Sequence, residues 1–410
     1  PLDPSSKLVE GNTLRLWTAV APEVGGEPVI QHTFLHVQAT IMVELMAENT
    51  EFFMPAIDVF DNRVWTNPVE LEMQVRHNLI TNPDTTVNVD LDIAPSSFEA
   101  TRSGNGLNEA NRWSTEITPE NSVLSLGATQ MIVANLGSPD PGSDSIRLPP
   151  VAGKLEVEVT ASLTIESGLS GIESPVSRVI LTVNIPEVSK ASIEIPSPTI
   201  ITPEIEASVP VNVVNLGNHE SNLSYILSGP LGWSVSSQPT TSTSVPSNSD
   251  QFPTINGDNI EQIMVSATAP PNYRADADSD VMLQVIDESG NVIAQELLPF
   301  EIQELVGATL LPANATANVS VDQLELLPLL VTNIGNSLQQ FDVSVEGFSE
   351  HIDVNVASSS SITLLPGENR TVEINILANP FARADANHSA RVTLSNDGDL
   401  VAQTLVHIHV

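Results

Sequence analysis

The sequence predicts an all-β protein built from tandem antiparallel β-sandwich domains. Three observations lead to this fold class: apolar and polar residues alternate in short runs, Pro, Gly, Asn and Asp separate the runs, and distant parts of the chain resemble one another. The chain has 410 residues, and at about 100 to 150 residues per domain this length predicts three or four domains rather than one large core.

Strand-like runs occur throughout the chain, for example at 154–160, 178–185 and 371–377. Their period-two alternation buries one face of a strand and exposes the other. That pattern suits antiparallel sandwich sheets better than a parallel sheet covered on both sides. Helical periodicity is scarce, and only residues 39–51 favour a short helix.

The last third of the chain repeats the middle third. Asn215-Leu-Gly217-Asn218 matches Asn333-Ile-Gly335-Asn336, and Arg274-Ala-Asp-Ala277 matches Arg383-Ala-Asp-Ala386. The first match is offset by 118 residues, from 215 to 333, and the second by 109, from 274 to 383. The difference indicates a length change in the Ser/Thr/Pro-rich stretch 236–251, which we expect to be a surface loop.

The same template extends towards the N-terminus. Residues 122–133 resemble residues 361–374, and the segment around Gly25-Gly26 resembles the closing hairpin around Asn396-Asp-Gly398, where positive φ angles are needed. On this match the chain begins inside a unit. The sequence therefore predicts four segments. They are closing strands of a preceding or incomplete unit at 1–40, a sandwich with loop insertions at 41–188, and sandwiches at 189–304 and 305–410.

Three turn motifs in these units resemble a known family. The strand-ending Asn-Xaa-Gly-Asn, the Leu-Pro-Gly-Glu turn before Thr371 and the Arg-Ala-Asp-Ala loop before the final hairpin are similar to those of bacterial and archaeal immunoglobulin-like (Ig-like) domains of the NEW3 and CARDB type. The resemblance covers 189–410 more closely than 41–188. It implies tandem Ig-like β-sandwiches of the kind found on cell-surface and secreted proteins, and it carries little information on activity.

The charge balance excludes several classes of partner. Lys and Arg total 14 against 51 Asp and Glu, which gives a formal net charge of −37. Nucleic-acid binding needs clustered basic residues, so no nucleic-acid partner is expected, and an anionic membrane surface is disfavoured for the same reason. No apolar run approaches the roughly 18 residues of a spanning helix, so no direct membrane span is expected in this segment. The absence of cysteine excludes disulfides and thiolate zinc sites.

Catalytic motifs are not found in the sequence. It contains neither His-Glu-Xaa-Xaa-His nor a P-loop. Gly168-Leu-Ser-Gly171 comes near a nucleophile elbow but lacks the second glycine at the required spacing. We therefore expect a protein that is not an enzyme, with no catalytic and no cofactor-binding residues.

Acidic residues supply the better candidate for a metal site. Asp276, Asp278 and Asp280 alternate in one segment, and carboxylate oxygens suit Ca²⁺. A solvated acidic turn is the favoured alternative, because Val281 stands where an EF-hand needs glycine. Two histidine pairs are weaker candidates. His32 and His36 would share a face on either a helix or a strand, so their spacing decides nothing. His407 and His409 have a spacing that can bind a metal, but no third ligand is identifiable and exposed strand residues are the favoured interpretation.

Arginines and tryptophans have structural interpretations. Arg274 and Arg383, at equivalent places in their repeats, are each expected to pair with a nearby carboxylate and fix the loop. Trp233 is expected to fill a sandwich core. The other tryptophans are expected to do the same, with a sugar-binding platform as the alternative; they are Trp17, Trp65 and Trp113.

Asn-Xaa-Ser/Thr sequons predict glycosylation, on the expectation that they lie in exposed loops. The acceptor residues are Asn222, Asn314, Asn318, Asn369 and Asn387. Their number alone matches chance.

The expected function is that of a non-enzymatic, extracellular structural protein: a rod of Ig-like domains in a surface layer, filament or adhesion system of a prokaryote. Its expected partners are copies of itself in a filament or lattice, together with glycans or other surface proteins. The alternative is a non-catalytic carbohydrate- or protein-binding stalk of a secreted hydrolase.

Overall fold

The computed structural model describes residues 13–20, 29–36, 41–61, 63–77, 86–102, 108–140, 148–164, 176–251, 257–347 and 349–410. Residues 13–20, 29–36 and 250–251 are described as backbone alone. Almost every element is a β-strand, and the strands form three two-layered sandwiches in sequence order. The predicted fold class, all-β with tandem Ig-like antiparallel β-sandwiches, is confirmed.

A two-stranded hairpin precedes the sandwiches. Its strands are β1 (Thr13–Val20) and β2 (Val29–His36), which pair antiparallel from Thr13 opposite His36 to Val20 opposite Val29. Among the described strands they pair only with each other. Several features noted in the sequence lie outside what the structure describes. These are the Gly25-Gly26 turn, Gly168–Gly171 and the side chains of Trp17, His32 and His36.

Sandwich 1 is formed by β3 to β11. Its strands are β3 (Ile41–Ala47), β4 (Glu51–Phe53), β5 (Thr66–His77), β6 (Thr86–Ala100), β7 (Ser114–Thr118), β8 (Asn121–Ser125), β9 (Thr129–Gly137), β10 (Gly153–Thr164) and β11 (Ser177–Ile185). One sheet has the order β3-β5-β9-β7 and the other β4-β11-β10-β6-β8. Two short 3₁₀ turns, Ala56–Val59 and Ala110–Arg112, complete the unit.

Sandwich 2 repeats this arrangement. Its strands are β12 (Ala191–Glu194), β13 (Thr199–Ile201), β14 (Ala207–Asn215), β15 (Ser221–Ser228), β16 (Ser234–Gln238), β17 (Thr241–Val245), β18 (Ile260–Thr268), β19 (Val281–Ile286), β20 (Val292–Leu298) and β21 (Phe300–Ile302). The sheets have the orders β12-β14-β18-β16 and β17-β15-β19-β20, and β13 pairs with β21. A single helical turn, α1 (Asn248–Gln251), follows β17.

Sandwich 3 has the same order again. Its strands are β22 (Ala308–Leu311), β23 (Asn314–Asn318), β24 (Leu324–Asn333), β25 (Gln339–Gly347), β26 (Ile352–Val356), β27 (Ser361–Leu364), β28 (Asn369–Ala378), β29 (His388–Asn396) and β30 (Asp399–His409). The sheets are β22-β24-β28-β26 and β23-β30-β29-β25-β27. The resemblance of 122–133 to 361–374 corresponds to matching positions, because β8–β9 and β27–β28 occupy the same places in their sandwiches.

Each sandwich buries a core of its own. The buried apolar residues form three separate clusters, spanning 41–185, 191–302 and 308–408. Alternate residues of each strand enter the core, as in β19, where Val281, Leu283 and Val285 are fully buried. Burial of such a side chain contributes about 1.5 to 3 kcal/mol, so each core can stabilise its own sandwich.

The structure corrects two predictions about local structure. The helix expected at 39–51 is wrong: β3 and β4 lie there, and Ile41, Val43 and Leu45 are buried with the period of two that belongs to a strand. The surface loop expected at 236–251 is also wrong, because this stretch contains the end of β16, all of β17 and α1.

Each sandwich also contains one short parallel pairing that the alternation pattern did not predict. β4 runs parallel to β11, β13 to β21, and β23 to β30. In each case a short early strand lies beside the last strand of its own unit. The pairing ties the beginning of a sandwich to its end, and in sandwiches 1 and 2 the last strand is followed by the linker to the next unit.

Candidate functional site at the two domain joints

Two short linkers connect the sandwiches, and each meets an Asn-Xaa-Gly-Asn turn. We define joint 1 as the linker 186–190 with the turn 215–219, and joint 2 as the linker 303–307 with the turn 333–337. In both joints the turn follows the strand that lies second in its sheet, β14 or β24. The repeated motif therefore stands at the entrance of sandwich 2 and of sandwich 3.

The first asparagine of the motif holds the turn together in joint 1. Asn215 is buried, and its Oδ1 accepts a hydrogen bond from the Gly217 N–H at 2.9 Å. Its Nδ2 donates to the carbonyl oxygens of His219 at 3.1 Å and Val245 at 2.8 Å. The side chain thus satisfies two backbone groups of its own turn and one at the end of β17.

Joint 2 repeats this geometry with different neighbours. Asn333 Oδ1 accepts from the Gly335 N–H at 2.8 Å, and Asn333 Nδ2 donates to the carbonyl oxygens of Ser337 and Leu364, both at 2.9 Å. Asn333 is fully buried. The role of the first asparagine is therefore the same in both joints.

The last asparagine of the motif binds the linker. In joint 1, Asn218 Oδ1 accepts from the Val188 N–H at 2.8 Å and Asn218 Nδ2 donates to the Pro186 carbonyl at 2.9 Å. In joint 2, Asn336 makes the same bonds to the Leu305 N–H at 2.7 Å and the Gln303 carbonyl at 2.9 Å.

The backbone of each last asparagine reinforces this hold. The Asn218 N–H donates to the Val188 carbonyl at 3.3 Å, and the Asn336 N–H donates to the Leu305 carbonyl at 3.2 Å. Each asparagine therefore clamps the middle of its linker through both side chain and backbone.

The same asparagines also contact the preceding sandwich. The Asn218 carbonyl accepts a hydrogen bond from the Ala152 N–H of sandwich 1, and the Asn336 carbonyl accepts one from the Ala275 N–H of sandwich 2, both at 3.0 Å. The donors lie in the loop before β10 and the loop before β19. One residue thus joins three parts of the chain: its own turn, the linker and the neighbouring sandwich.

Glycine is required in the motif because the linker passes close to it. A Cβ atom at Gly335 would lie 2.3 Å from the Leu305 carbonyl oxygen, nearer than such atoms approach in folded proteins. At Gly217 the nearest atoms, Asn215 Oδ1 and the Val188 carbonyl oxygen, would both be 3.0 Å away. Any other residue would push the linker off the turn, most strongly in joint 2.

Joint 1 adds an ionic cluster between sandwiches. Arg102, at the end of β6, makes a two-pronged contact with Glu187 at 2.9 and 3.0 Å and a second contact with Glu288 of sandwich 2 at 2.5 Å. Hydrogen bonding to Arg102 lowers the pKa of both carboxyl groups below the usual range for glutamate. The cluster connects sandwich 1, the linker and sandwich 2.

A buried histidine lies beside this cluster. His219 is 5% exposed, and burial lowers its pKa below the ordinary value. Its ring nitrogens lie 3.3 Å from Asn218 Oδ1 and 3.3 Å from Ser221 Oγ. His219, Arg102 and Glu187 line a polar cavity of about 380 Å³.

A buried ion pair positions the part of sandwich 1 that faces joint 1. Glu109 is 2% exposed and contacts Arg112 at 2.7 Å, while its other oxygen accepts from the Val151 N–H at 3.1 Å and from Trp113 Nε1 at 3.3 Å. Burial raises the pKa of Glu109, although Arg112 acts in the opposite direction.

Arg112 in turn donates to the carbonyl oxygens of Leu148 and Pro149. The segment fixed in this way supplies three further contacts to sandwich 2: Pro149 accepts from Ser249 Oγ at 2.6 Å, Pro150 accepts from Asn218 Nδ2 at 3.1 Å, and Ala152 donates as described.

Joint 2 has a neutral set of contacts in place of the ionic cluster. Glu304, the linker counterpart of Glu187, accepts from Ser337 Oγ at 2.6 Å and Gln339 Nε2 at 2.7 Å. Both donors belong to sandwich 3, so this carboxylate holds the linker to one sandwich. Ser337 stands where joint 1 has His219.

Two of the three aspartates proposed to bind calcium have hydrogen-bond partners within the protein. Asp276 is engaged by Arg274 at 2.7 and 2.8 Å, and Asp278 Oδ1 accepts from the Asp280 N–H at 3.2 Å. Across the described ranges, no three Asp, Glu or His side chains are grouped as metal ligands. The calcium site stays a prediction. His407 and His409 are exposed on β30.

The predicted arginine pairs are confirmed. Arg274 pairs with Asp276, and Arg383 makes the equivalent contacts with Asp385 at 3.0 and 2.8 Å. The neighbouring arginines lower the pKa of both aspartates.

All five sequon asparagines are exposed, as expected, although Asn387 alone lies outside a strand. The other four occupy the first two residues or the last residue of strands: Asn222 in β15, Asn314 and Asn318 in β23, and Asn369 in β28. Glycosylation itself stays a prediction.

The tryptophan side chains that the structure describes pack in the sandwiches. Trp113 is 5% exposed and meets Trp65 edge to face at 6.1 Å, and Trp233 meets Tyr273 in the same way at 5.4 Å. A buried Trp113 ring is closed to a sugar. The core interpretation is therefore confirmed for Trp113.

Sequence comparison with known proteins is negative: no family model and no curated protein matches the chain. Several solved structures are similar in fold. An I-band fragment of titin shares 9% identity over 92% of this chain and 99% of its own, with a TM-score of 0.36. Extracellular cadherin domains 1–4 of protocadherin gamma B7 share 9% identity over 97% of this chain and 83% of theirs, with a TM-score of 0.40. These neighbours are tandem Ig-like and cadherin domains.

In the part of the chain that the structure describes, no helix is long and apolar enough to cross a bilayer.

Proposed function

We propose that this protein is a non-enzymatic, extracellular structural component, a stiff rod of Ig-like sandwiches in a prokaryotic surface layer, filament or adhesion system. The observation that carries the proposal is the repeated asparagine clamp. In both joints the linker is hydrogen bonded along its middle to the sandwich that follows, and that sandwich is bonded to the one before.

Stiffness follows from the cost of opening these joints. Asn218 and Asn336 are 0% and 2% exposed, so bending at a joint must break hydrogen bonds that water does not readily replace. An unsatisfied buried polar group costs about 1 to 3 kcal/mol. Interfaces between domains of one chain are otherwise expected to permit relative motion, so such clamps favour a rod over a flexible string.

The acidic surface supports the proposed setting. A net charge of −37 keeps chains apart unless a specific contact or divalent cations bring them together. Exposed strand edges then offer a mode of self-assembly into filaments or lattices. We also propose that the units are of the NEW3 and CARDB type, since the Asn-Xaa-Gly-Asn and Arg-Ala-Asp-Ala motifs lie at corresponding places in sandwiches 2 and 3 and sandwich 3 adds the Leu-Pro-Gly-Glu turn.

Rod stiffness can be tested by small-angle X-ray scattering and electron microscopy of the purified chain. We expect straight particles of constant length, and concentration-dependent polymers if the chain self-assembles. Antibody labelling of intact cells is expected to place the protein outside the cell. Particles that bend freely at both joints would contradict the proposal.

The alternative, a binding stalk of a secreted hydrolase, is tested on a glycan array. Saturable glycan binding without polymer formation would favour the stalk. A Trp113→Ala variant is not informative there, because loss of a buried ring destabilises sandwich 1 whether or not a glycan binds. Hydrolase assays with and without Ca²⁺ test the proposed lack of enzymatic activity.

A further inference from the structure

The loop before β29 in sandwich 3 repeats the loop by which sandwich 2 contacts sandwich 3. Both loops carry the sequence Arg-Ala-Asp-Ala. Arg274 holds Asp276 through two hydrogen bonds of 2.8 and 2.7 Å, and Arg383 holds Asp385 through two of 3.0 and 2.8 Å. The two loops therefore share their sequence and their side-chain geometry.

Their backbones also turn in the same way. The Ala277 N–H donates to the Arg274 carbonyl, and the Ala386 N–H donates to the Arg383 carbonyl, both at 3.2 Å. A turn also precedes each arginine, closed by the N–H groups of Tyr273 and Ala382, but Asn272 in the first of these turns has a positive φ of 58° and its counterpart Phe381 does not. The Arg-Ala-Asp-Ala turn of sandwich 3 thus has the hydrogen bonds of the turn that makes a joint in sandwich 2.

The two loops differ in what covers them. Ala275 is half-buried, and its N–H donates to the Asn336 carbonyl of the next sandwich at 3.0 Å. Ala384, its counterpart, is exposed, and no acceptor for its N–H is found within the described residues. The ring of Phe381 beside it is 74% exposed.

We propose that the loop 379–387 of sandwich 3 is a docking surface for a further sandwich of the same kind. The Asn-Xaa-Gly-Asn turn of that sandwich would supply the carbonyl that accepts the Ala384 N–H. Joint 1 supports this acceptor role, because the Ala152 N–H reaches the Asn218 carbonyl from a loop of different sequence.

The partner is a different sandwich rather than a second copy of this chain. Both Asn-Xaa-Gly-Asn turns of the chain, at 215–218 and 333–336, are already covered by the preceding sandwich of the same molecule. The inference deepens the proposed rod function and rests on it, since it extends the same joint by one unit.

The test is a chain in which residues 303–410 are repeated after Val410. The buried residues Leu298 and Phe300 correspond to Val406 and Ile408 near the end of β30. Val410 therefore corresponds to Ile302, and the added linker, which begins at Gln303, follows sandwich 3 as it follows sandwich 2 in joint 2. The protein should be made without glycosylation, since the sequon residue Asn387 follows the loop directly.

We expect hydrogen exchange at the Ala384 amide to slow by about tenfold or more in the extended chain relative to the original chain. Exchange at Ala275 serves as the internal reference and should be slow in both. In the added copy, replacing the counterpart of Gly335 with valine should restore fast exchange at Ala384, because the new joint cannot close.

Unchanged exchange at Ala384 in the extended chain, with Ala275 protected, would overturn the proposal. Protection in the original chain that grows with protein concentration would overturn it as well, because a second copy would then cover the loop.

The outcomes separate this inference from the proposed function. Stiff particles with an unprotected Ala384 leave the rod in place and remove the docking surface. Flexible particles with a protected Ala384 amide would contradict the stiff rod and support the docking surface.

Discussion

The two joints share one asparagine clamp and differ in everything around it. Joint 1 surrounds the clamp with charges: Arg102 contacts Glu187 and Glu288, and His219 is buried beside them. Joint 2 uses neutral donors on Glu304 and a tighter glycine approach. The motif therefore provides the connection, and the residues around it set how strongly each joint depends on packing, pH and salt.

The difference has a structural origin. In joint 1 the segment 148–152 of sandwich 1 and the inserted helix α1 of sandwich 2 add contacts, such as Ser249 Oγ to the Pro149 carbonyl at 2.6 Å. Joint 2 lacks this insertion, because β27 is followed directly by the short turn that leads to β28. Joint 1 thus has additional polar contacts between the two sandwiches, whereas joint 2 depends more on the close approach of the linker backbone to the turn.

The largest expected difference comes from the glycines. Gly335→Ala places a Cβ 2.3 Å from a carbonyl oxygen, and we expect it to destabilise joint 2 and the entrance of sandwich 3 by about 2 to 3 kcal/mol. Gly217→Ala, whose Cβ would have its nearest contacts at 3.0 Å, should destabilise joint 1 by about 1 kcal/mol. Urea unfolding of each sandwich, followed by hydrogen–deuterium exchange mass spectrometry, measures both.

Gly347→Ala is the matched control, because its Cβ would approach nothing closer than 3.7 Å. If Gly217→Ala and Gly335→Ala lowered the free energy of unfolding equally, the distance between linker and turn would not explain a difference between the joints.

Removal of the clamp should affect joint 1 more than joint 2. Asn218→Ala removes side-chain hydrogen bonds to Val188, Pro186 and Pro150, whereas Asn336→Ala removes those to Leu305 and Gln303. We expect the free energy of unfolding to fall by about 2 to 3 kcal/mol in Asn218→Ala and by about 1 to 2 kcal/mol in Asn336→Ala, since buried backbone groups are left unsatisfied. The same exchange experiment measures them.

Asn218→Asp is the informative companion. Aspartate keeps the acceptor for the Val188 N–H and loses the donor to the Pro186 and Pro150 carbonyls. A variant as stable as the wild type would mean that the linker is held by its backbone contacts alone.

The joints also show how far the sequence could be interpreted. Alternation predicted the strands and the sandwiches, and the repeat predicted that Asn215-Leu-Gly217-Asn218 and Asn333-Ile-Gly335-Asn336 have one role. It did not predict that role. The partners of Asn218 and Asn336 are backbone groups of a linker about thirty residues earlier, and backbone donors and acceptors leave no mark in a sequence.

The charged part of joint 1 was missed for a related reason. Arg102 lies two residues after the end of β6 in a segment with no recognisable motif, and its partners are brought together by the packing of two sandwiches. One signal was available: Glu187 and Glu304 occupy the same position in the two linkers, 117 residues apart from 187 to 304. The helix predicted at 39–51 is wrong because Ile41, Val43 and Leu45 recur every second residue, which is the period of a strand; a helix would turn Val43 away from the other two.

Loss of the ionic cluster should loosen joint 1 alone. Arg102→Gln removes the contacts to Glu187 and Glu288, which are partly exposed, so we expect an effect of about 0.5 to 1 kcal/mol that decreases with added salt. Because the chain has no cysteine, spin labels can be placed on introduced pairs without background. The pairs are Glu72→Cys with Gln262→Cys across joint 1, and Gln262→Cys with Asp353→Cys across joint 2.

In the Arg102→Gln variant, the distribution of distances between spin labels, measured by double electron–electron resonance, should broaden across joint 1 and stay unchanged across joint 2. Arg178→Gln is the control, since its ion pair with Glu158 lies within sandwich 1. Broadening by that control would mean that general loss of charge, rather than the contact between sandwiches, loosens the rod.

The smallest expected effect is a pH dependence confined to joint 1. Burial lowers the pKa of His219, so its neutral form belongs to the folded state. As the pH falls below the ordinary histidine value of about 6.5, the unfolded chain binds the proton first and the stability of the joint decreases. The lowered pKa values of Glu187 and Glu288 act in the same direction at lower pH, because their stabilisation is lost as the pH falls below about 4.3 and through the folded values.

The distance distribution across joint 1 should therefore broaden modestly between pH 7.5 and pH 5, by an amount that corresponds to less than about 1 kcal/mol. His219→Ser, which installs the residue that joint 2 carries at Ser337, should remove this dependence while the clamp of Asn218 stays closed. If the variant broadens with pH as the wild type does, the acid response belongs to another group that lines the cavity, and Glu187, whose pKa is also lowered, is the residue to replace next.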